Sequence, residues 1–171
     1  MELERYGKPQ VGSVRGVLLD VHSACYAEET DSFHSRESFS GFVDRWSVND
    51  EWSCIVAYEG PEAIGLAYGA PFSRGAWWRG SDTPREMAAT DRAFALSELM
   101  VIPTWRKRGI SLRLHDALLY GRDEELVTLF VDSSHPRVQA LYETWGYRKV
   151  SESKPYDDSP TFAVMVKRLQ P

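Results

Sequence analysis

Apolar residues in the first half of the chain recur at two different periods. They follow helical spacing over Val11–Glu29 and again over Glu37–Trp46, so we predict two amphipathic helices. Two apolar runs then flank the Glu-Gly-Pro-Glu turn at 59–62, which is typical of a β-hairpin. Residues 73–91 are polar and contain glycines, and we predict a long loop there rather than a linker between domains.

The second half alternates between strand-like and helix-like segments. We predict strands over 93–102, 126–131, 147–151 and 162–166, and helices over 110–120 and 136–145. The strands 93–102 and 126–131 should be parallel, because a helix connects them. The expected fold class is α/β (α+β), with a mixed, mostly antiparallel central sheet, one parallel strand pair and helices on both faces, in a single domain 1–171.

Composition narrows the class of protein. The 171 residues are 43% hydrophobic and 26% charged, which is typical of a folded globular domain. No stretch approaches the roughly 20 apolar residues of a membrane span, and the N-terminus has no apolar signal-peptide core. A cytoplasmic protein with reduced Cys25 and Cys54 is the default expectation. The net charge of -5 argues against a nucleic-acid-binding surface, because such surfaces are broadly basic.

The densest positive charge lies where the strand 93–102 gives way to the next helix. Arg106, Lys107 and Arg108 precede Gly109, and the free N–H groups at a helix start form an anion site. A glycine lets the backbone approach a ligand closely. A pyrophosphate cradle and a solvated basic turn both remain open, and the strand–turn–helix context favours the cradle. The sequence contains neither a Walker-type loop nor a dinucleotide fingerprint.

Two segments carry a resemblance to a known family. "ELMVIPTWRKRGISLRLHDALL" resembles the acetyl-CoA-binding segment of the GNAT N-acetyltransferase superfamily: an apolar strand, Val-x-Pro, then Arg/Gln-x-x-Gly-x-Gly/Ala. Ser111 stands where that family usually has Gly or Ala. "HPRVQALYETWGYRKV" is similar to the family's Asn-x-x-Ala-x-x-x-Tyr-x-x-x-Gly-Phe, with His135 replacing Asn and Val138 replacing Ala. The resemblance covers about residues 93–168, and the N-terminal half matches in element order only.

The resemblance implies direct transfer of an acetyl group from acetyl-CoA to an amine. The two parallel strands would splay apart around the pantetheine arm, and a backbone N–H near 99–101 would polarise the thioester oxygen. The pyrophosphate would rest on residues 107–112. The cofactor-binding residues implied in this way are Leu99, Met100, Val101, Arg106, Lys107, Arg108, Gly109, Ile110, Ser111, Leu112 and His135.

Two residues are candidates for proton transfer. Tyr142 is implied as the general acid that protonates the departing thiolate, and the alternative is an ordinary core tyrosine. Glu98 lies in a strand expected to be covered on both faces, where burial raises the pKa of a carboxyl group. It is either a general base for the acceptor or an ion-pair partner of Arg92 or Arg113. His135 either contacts the cofactor or caps the helix that follows it.

The acceptor is expected to be an amine-bearing small molecule or peptide. It would enter over the N-terminal helices, the hairpin and the 73–91 loop, although core packing and solvated surface explain most aromatic and acidic residues there equally well. His22, His34 and His115 lack metal-ligand spacing, so no metal site is predicted. A non-catalytic acyl-CoA-binding or regulatory domain is the alternative to an enzyme. No membrane or nucleic-acid partner is expected, and the oligomeric state is left open, a homodimer being one alternative.

Overall fold

The computed structural model describes residues 1–85, 87–88 and 91–169. In chain order the elements are β1 (Glu2–Gly7), α1 (Val11–Cys25), α2 (Arg36–Ser47), β2 (Ser53–Glu59), β3 (Glu62–Pro71), β4 (Ala93–Val101), α3 (Ile110–Leu119), β5 (Leu126–Asp132), α4 (Pro136–Thr144), β6 (Arg148–Ser153) and β7 (Phe162–Arg168). Two short 3-10 helices, Lys8–Gln10 and Pro103–Trp105, precede α1 and α3. Within the described residues, no helix has the length and apolar character needed to cross a membrane.

The seven strands form a mixed sheet in the order β1-β2-β3-β4-β5-β7-β6. β4 and β5 are parallel, pairing Ala93–Ala95 with Leu126–Thr128. The pairs β1–β2, β2–β3, β5–β7 and β6–β7 are antiparallel. The predicted fold class and the parallel pair joined by a helix are therefore confirmed.

The chain divides into two compact units, of which the first comprises Met1–Ala70 and Leu96–Arg122. Its core forms because α1 buries one stripe, including Val14, Leu18 and Val21, against α2 and the apolar faces of β2 and β3. Ser35 caps α2, since its side chain accepts a hydrogen bond from the Ser38 N–H at 3.1 Å. α1 is shorter than predicted and ends at Cys25.

The strand β1 was not predicted from the sequence. It pairs with β2 at one edge of the sheet, Glu2 opposite Tyr58 and Gly7 opposite Ser53. None of its residues is fully buried. The strand therefore lacks the apolar alternation by which a half-buried strand is recognised.

The second unit contains the described residues of 71–95 and those from Asp123 onward. The predicted long loop is confirmed: among the described residues between Pro71 and Ala93 there is no helix or strand. Trp78 anchors this loop, because its Nε1 donates to Thr128 Oγ1 at 2.9 Å and its ring stacks on Phe130 at 4.2 Å.

The apolar side chains of α4 are only partly buried. Tyr142 is buried, whereas Val138 and Leu141 are each 42% exposed. Helical spacing of apolar residues therefore indicates the helix correctly but does not identify its buried face. Gly146 follows the helix with φ of 89°, a left-handed conformation typical of a glycine just after a helix end.

Candidate functional site

The turn between β4 and α3 has an unusual backbone. Gly109, the N-cap of α3, has φ of 75°, and Lys107 has φ of 63°, which makes it the only non-glycine residue with positive φ among those described. A left-handed conformation costs an ordinary residue about 1 kcal/mol. This turn is therefore held by the elements on either side of it.

The N-terminus of α3 is free to bind a ligand. None of the described side chains caps it, so the first N–H groups of the helix keep their capacity to donate to an anion. A Cβ added at Gly109 would meet no atom within 4 Å, which shows that the space beside this backbone is open. Ile110 is buried and Ser111 is partly buried, so the Ile110 side chain belongs to the core and only its backbone faces the turn.

The basic side chains of this turn have different roles. Arg106 Nε donates to the Val101 carbonyl at 3.0 Å, and the Arg106 charge partly offsets the burial that raises the pKa of the Cys25 thiol. Arg108 lies 4.7 Å from the centroid of the Trp105 ring. Within the described chain, Lys107 has no ion-pair or hydrogen-bond partner. Arg106 and Arg108 therefore brace the turn, and Lys107 is the cation that projects from it.

Glu98 lies in the middle of β4 and is partly exposed. Protein surrounds its carboxyl group closely enough that burial raises the pKa of this group to about 8. Glu98 has no basic partner among the residues described, and Arg92 instead pairs with Asp123 at 3.3 Å and with Glu124 at 3.8 Å. The alternative of an ion pair between Glu98 and Arg92 or Arg113 is therefore not observed among the described residues.

Two tyrosines that the sequence did not single out lie close enough to Glu98 for its charge to act on them. Burial, and after it the Glu98 carboxylate, raises the pKa of the Tyr26 and Tyr68 phenols well above their ordinary value. Tyr26 is the C-cap residue of α1 and packs between His22 and His34, with ring centroids 4.7 and 4.6 Å away. No local motif marks either residue, because both are brought to Glu98 by the packing of α1 and β3.

His135 and Tyr142 belong to the second unit. His135 occupies the N-cap position of α4, as one of the two alternatives for this residue expected, but within the described residues its side chain makes no capping bond. Its exposed ring instead approaches Asp132, with Nδ1 3.5 Å from Oδ2. Tyr142 makes edge-to-face contacts with Trp145 and Tyr147, with ring centroids 5.1 and 5.5 Å away. Such packing is compatible with a core tyrosine and with an oriented acid.

One group of possible metal ligands occurs among the described residues. Atoms of Glu29, Asp31 and His34 lie within 4.8 Å of one another. His34 already pairs with Asp31, with Nδ1 2.8 Å from Oδ2, and both acids are exposed. We assign no metal to this group.

Comparison with known proteins identifies relatives along most of the chain. The family model described as "Acetyltransferase (GNAT) family" matches residues 18–147. A curated relative from Mycobacterium tuberculosis, described as a GCN5-like protein acetyltransferase, is 30% identical over 120 residues. This match covers 62% of the chain and 58% of the relative, so the chain spans less than two thirds of the relative's length.

Solved structures share the fold at low sequence identity. An aminoglycoside 6'-acetyltransferase type Ii superposes with a TM-score of 0.66 at 18% identity, covering 100% of this chain and 99% of the other. PaiA N-acetyltransferase from Thermoplasma acidophilum, solved in complex with coenzyme A, gives a TM-score of 0.58 at 14% identity, covering 99% and 100%.

Proposed function

The chain belongs to the GNAT acetyltransferase family, and from this membership we propose that it moves an acetyl group from acetyl-CoA to a primary amine of a small molecule or peptide. The observation that carries the proposal is the uncapped N-terminus of α3 behind an open left-handed turn. Such a terminus suits the pyrophosphate of coenzyme A. The coenzyme A bound to the Thermoplasma relative supports the same cosubstrate.

The turn and β4 are proposed to hold the cosubstrate. Backbone N–H groups of 107–112 would bind the pyrophosphate, with Lys107 as the adjacent countercharge. Arg106 would act indirectly by fixing the Val101 carbonyl. Backbone groups of Leu99, Met100 and Val101 would lie along the pantetheine arm, and His135 would be a further contact of the cofactor.

Glu98 is proposed as the general base. A primary amine is mostly an ammonium ion near neutral pH and must lose a proton before its nitrogen attacks the thioester carbonyl. A carboxyl group with a pKa of about 8 is a much stronger base than an ordinary glutamate. The proton would pass to Glu98 directly or through one water molecule.

Tyr142 is proposed as the general acid. When the new C–N bond forms and the C–S bond breaks, the sulfur leaves as a thiolate and takes up a proton. A phenol is a suitable donor because its pKa lies near that of a thiol. The position of Tyr142 in the family-like motif supports this role, and its packed ring supports a fixed orientation.

The proposal is tested by binding first and by chemistry second. Acetyl-CoA at 100 times its dissociation constant should stabilise the folded chain by about 2.7 kcal/mol, measured as a thermal shift. A panel of amines that includes an aminoglycoside, a polyamine and a peptide should then release free thiol. This release should collapse in Tyr142→Phe while the thermal shift persists.

The second candidate function is a non-catalytic acyl-CoA-binding or regulatory domain. It would be supported if coenzyme A binds but no amine accelerates thiol release. Absence of any thermal shift at millimolar acetyl-CoA would contradict both functions.

A further inference from the structure

The hydroxyl group of Tyr68 is buried and has no hydrogen-bond partner among the residues that the structure describes. The whole side chain has 0% exposure, so water does not satisfy the hydroxyl from the surface. Buried polar groups are nearly always paired, and an exception calls for an explanation. A phenylalanine would fill the same space without this cost, so packing alone does not explain the tyrosine.

Tyr68 lies beside Glu98 on the neighbouring strand. The hydrogen bond from Ile102 N to Ile64 O, 3.0 Å long, aligns β4 with β3. A second bond, from Phe72 N to Ala93 O at 2.9 Å, shows that the two strands run in opposite directions, so Glu98 and Tyr68 lie at the same level of the sheet to within one residue. Tyr68 and Met100 both belong to the core cluster packed against α1 and α2. Side chains alternate along a strand, so Glu98 faces the same side as Met100.

The charge of Glu98 acts on two phenols. These are Tyr26, which follows α1, and Tyr68 from β3. Burial and the Glu98 charge raise the pKa of both phenols, so both stay protonated and can act as donors. The charged and titratable groups beside the two phenols are Cys25, Glu29 and Arg106 near Tyr26, and Arg45 and Cys54 near Tyr68.

We propose that Tyr68 is a positioning residue for Glu98, whose ionised carboxylate it stabilises by turning its free O–H dipole toward it. The hydroxyl hydrogen rotates about the C–O bond, so this dipole is available whenever Glu98 is charged. In the reaction the ammonium proton passes to a carboxylate oxygen of Glu98, and Tyr68 keeps its own proton throughout. That this proton comes from the ammonium group of an acceptor rests on the proposed function, whereas the pairing of Tyr68 with Glu98 rests on the geometry alone.

The substitution Tyr68→Phe removes the hydroxyl and keeps the ring. In protein labelled with ¹³C-glutamate, NMR from pH 5 to 10 follows each carboxyl group, and Glu98→Gln identifies the Glu98 signal by its absence. We expect the titration midpoint of the Glu98 carboxyl group (the Glu98 midpoint) to move upward by about one pH unit in Tyr68→Phe, a tenfold change in the acidity constant. The free energy of unfolding at pH 6 should not fall, because no hydrogen bond is lost.

Tyr58→Phe is the matched control. It removes a phenol hydroxyl from β2 in the same unit, where that group contacts the Tyr6 hydroxyl at 3.1 Å. The Glu98 midpoint should be unchanged in this variant. An unchanged midpoint in Tyr68→Phe, or an equal shift in Tyr58→Phe, would overturn the proposal.

Kinetics separate this proposal from the proposed function. In Tyr68→Phe the rising limb of kcat/KM against pH should move with the NMR midpoint, while KM for acetyl-CoA stays the same. If the NMR midpoint moves but the wild-type chain transfers no acetyl group to any amine, the pairing of Tyr68 with Glu98 stands and the proposed function fails. A kinetic limb that stays in place while the NMR midpoint moves would overturn the catalytic part of the proposal.

Discussion

Gly65 on β3 lies where the sheet has no space for a side chain. A Cβ built at this position would lie 2.8 Å from the Met100 carbonyl oxygen, 3.2 Å from Leu114 Cδ1 and 3.3 Å from Val101 Cγ2. The leucine methyl group can move, but the carbonyl belongs to the backbone of β4. The substitution Gly65→Ala therefore has to displace the strand that carries the proposed cosubstrate contacts.

The expected loss of stability follows from two opposing effects. Overpacking a core typically costs about 1–3 kcal/mol. Replacing glycine by alanine also restricts the unfolded chain, which raises the free energy of unfolding by about 0.4–1 kcal/mol. The net destabilisation should be about 1–2 kcal/mol, which corresponds to about 3–6 °C in Tm for a domain of this size.

Urea denaturation and thermal unfolding measure this change, and Gly16→Ala is the matched control. Gly16 lies within α1, and a Cβ there would meet no atom within 4 Å. This variant should gain up to about 1 kcal/mol from helix propensity. In Gly65→Ala the KM for acetyl-CoA should also rise, because the Met100 carbonyl moves. A Gly65→Ala protein as stable as the wild type would refute the reasoning.

Three further predictions concern charge. Glu98→Gln should abolish the rise of kcat/KM with pH near pH 8, since the base acts only when it is ionised. A thiol-release assay measures this pH profile. If the rise persists in the variant, it belongs to the titration of another group. Burial, with smaller contributions from His34 and Arg36, lowers the pKa of His22 to about 4. Between pH 6.5 and 4 the unfolded chain therefore binds more protons at His22 than the folded chain does. The contribution of neutral His22 to the free energy of unfolding is fully present above pH 6.5 and decreases by up to about 3 kcal/mol as the pH falls to 4. Urea denaturation at pH 7 and 4.5 should show this loss in the wild type and a smaller one in His22→Leu. Lys107→Ala should weaken coenzyme A binding several-fold by calorimetry, whereas Lys149→Ala, which removes a surface pair with Glu152 at 2.6 Å, should leave it unchanged.

Predictions from the sequence succeeded where the signal is local. The hairpin around residue 60, the parallel pair and the order of the later elements follow from apolar periodicity and turn residues. β1 was missed because a mostly exposed edge strand shows no alternation. The raised pKa of Glu98 was anticipated from an acid inside an apolar strand, whereas the alternative of an arginine partner is not observed among the described residues, because Arg92 pairs with acids near the start of β5.

Contacts between distant elements account for what the sequence did not reveal at the candidate site. The sequence shows that Tyr68 occupies an apolar strand, but it does not show that the hydroxyl is unpaired. It likewise shows three basic residues in a row but not that Arg106 donates a hydrogen bond to the Val101 carbonyl. The roles of Tyr68 and Arg106 depend on which groups the fold brings next to them, and the sequence alone does not determine these neighbours.

The composition of the basic turn suggests that all three of its consecutive cations face a ligand, but the structure shows a different arrangement. Two of its three consecutive cations are held by the protein itself, Arg106 on a backbone carbonyl and Arg108 on the Trp105 ring. What remains for a ligand is one projecting lysine and the free N–H groups of a helix that begins at a left-handed glycine. Backbone donors have fixed positions and lose no side-chain entropy when they bind an anion. Recognition in this acidic chain would thus rest chiefly on backbone geometry, with the arginines acting to preserve that geometry.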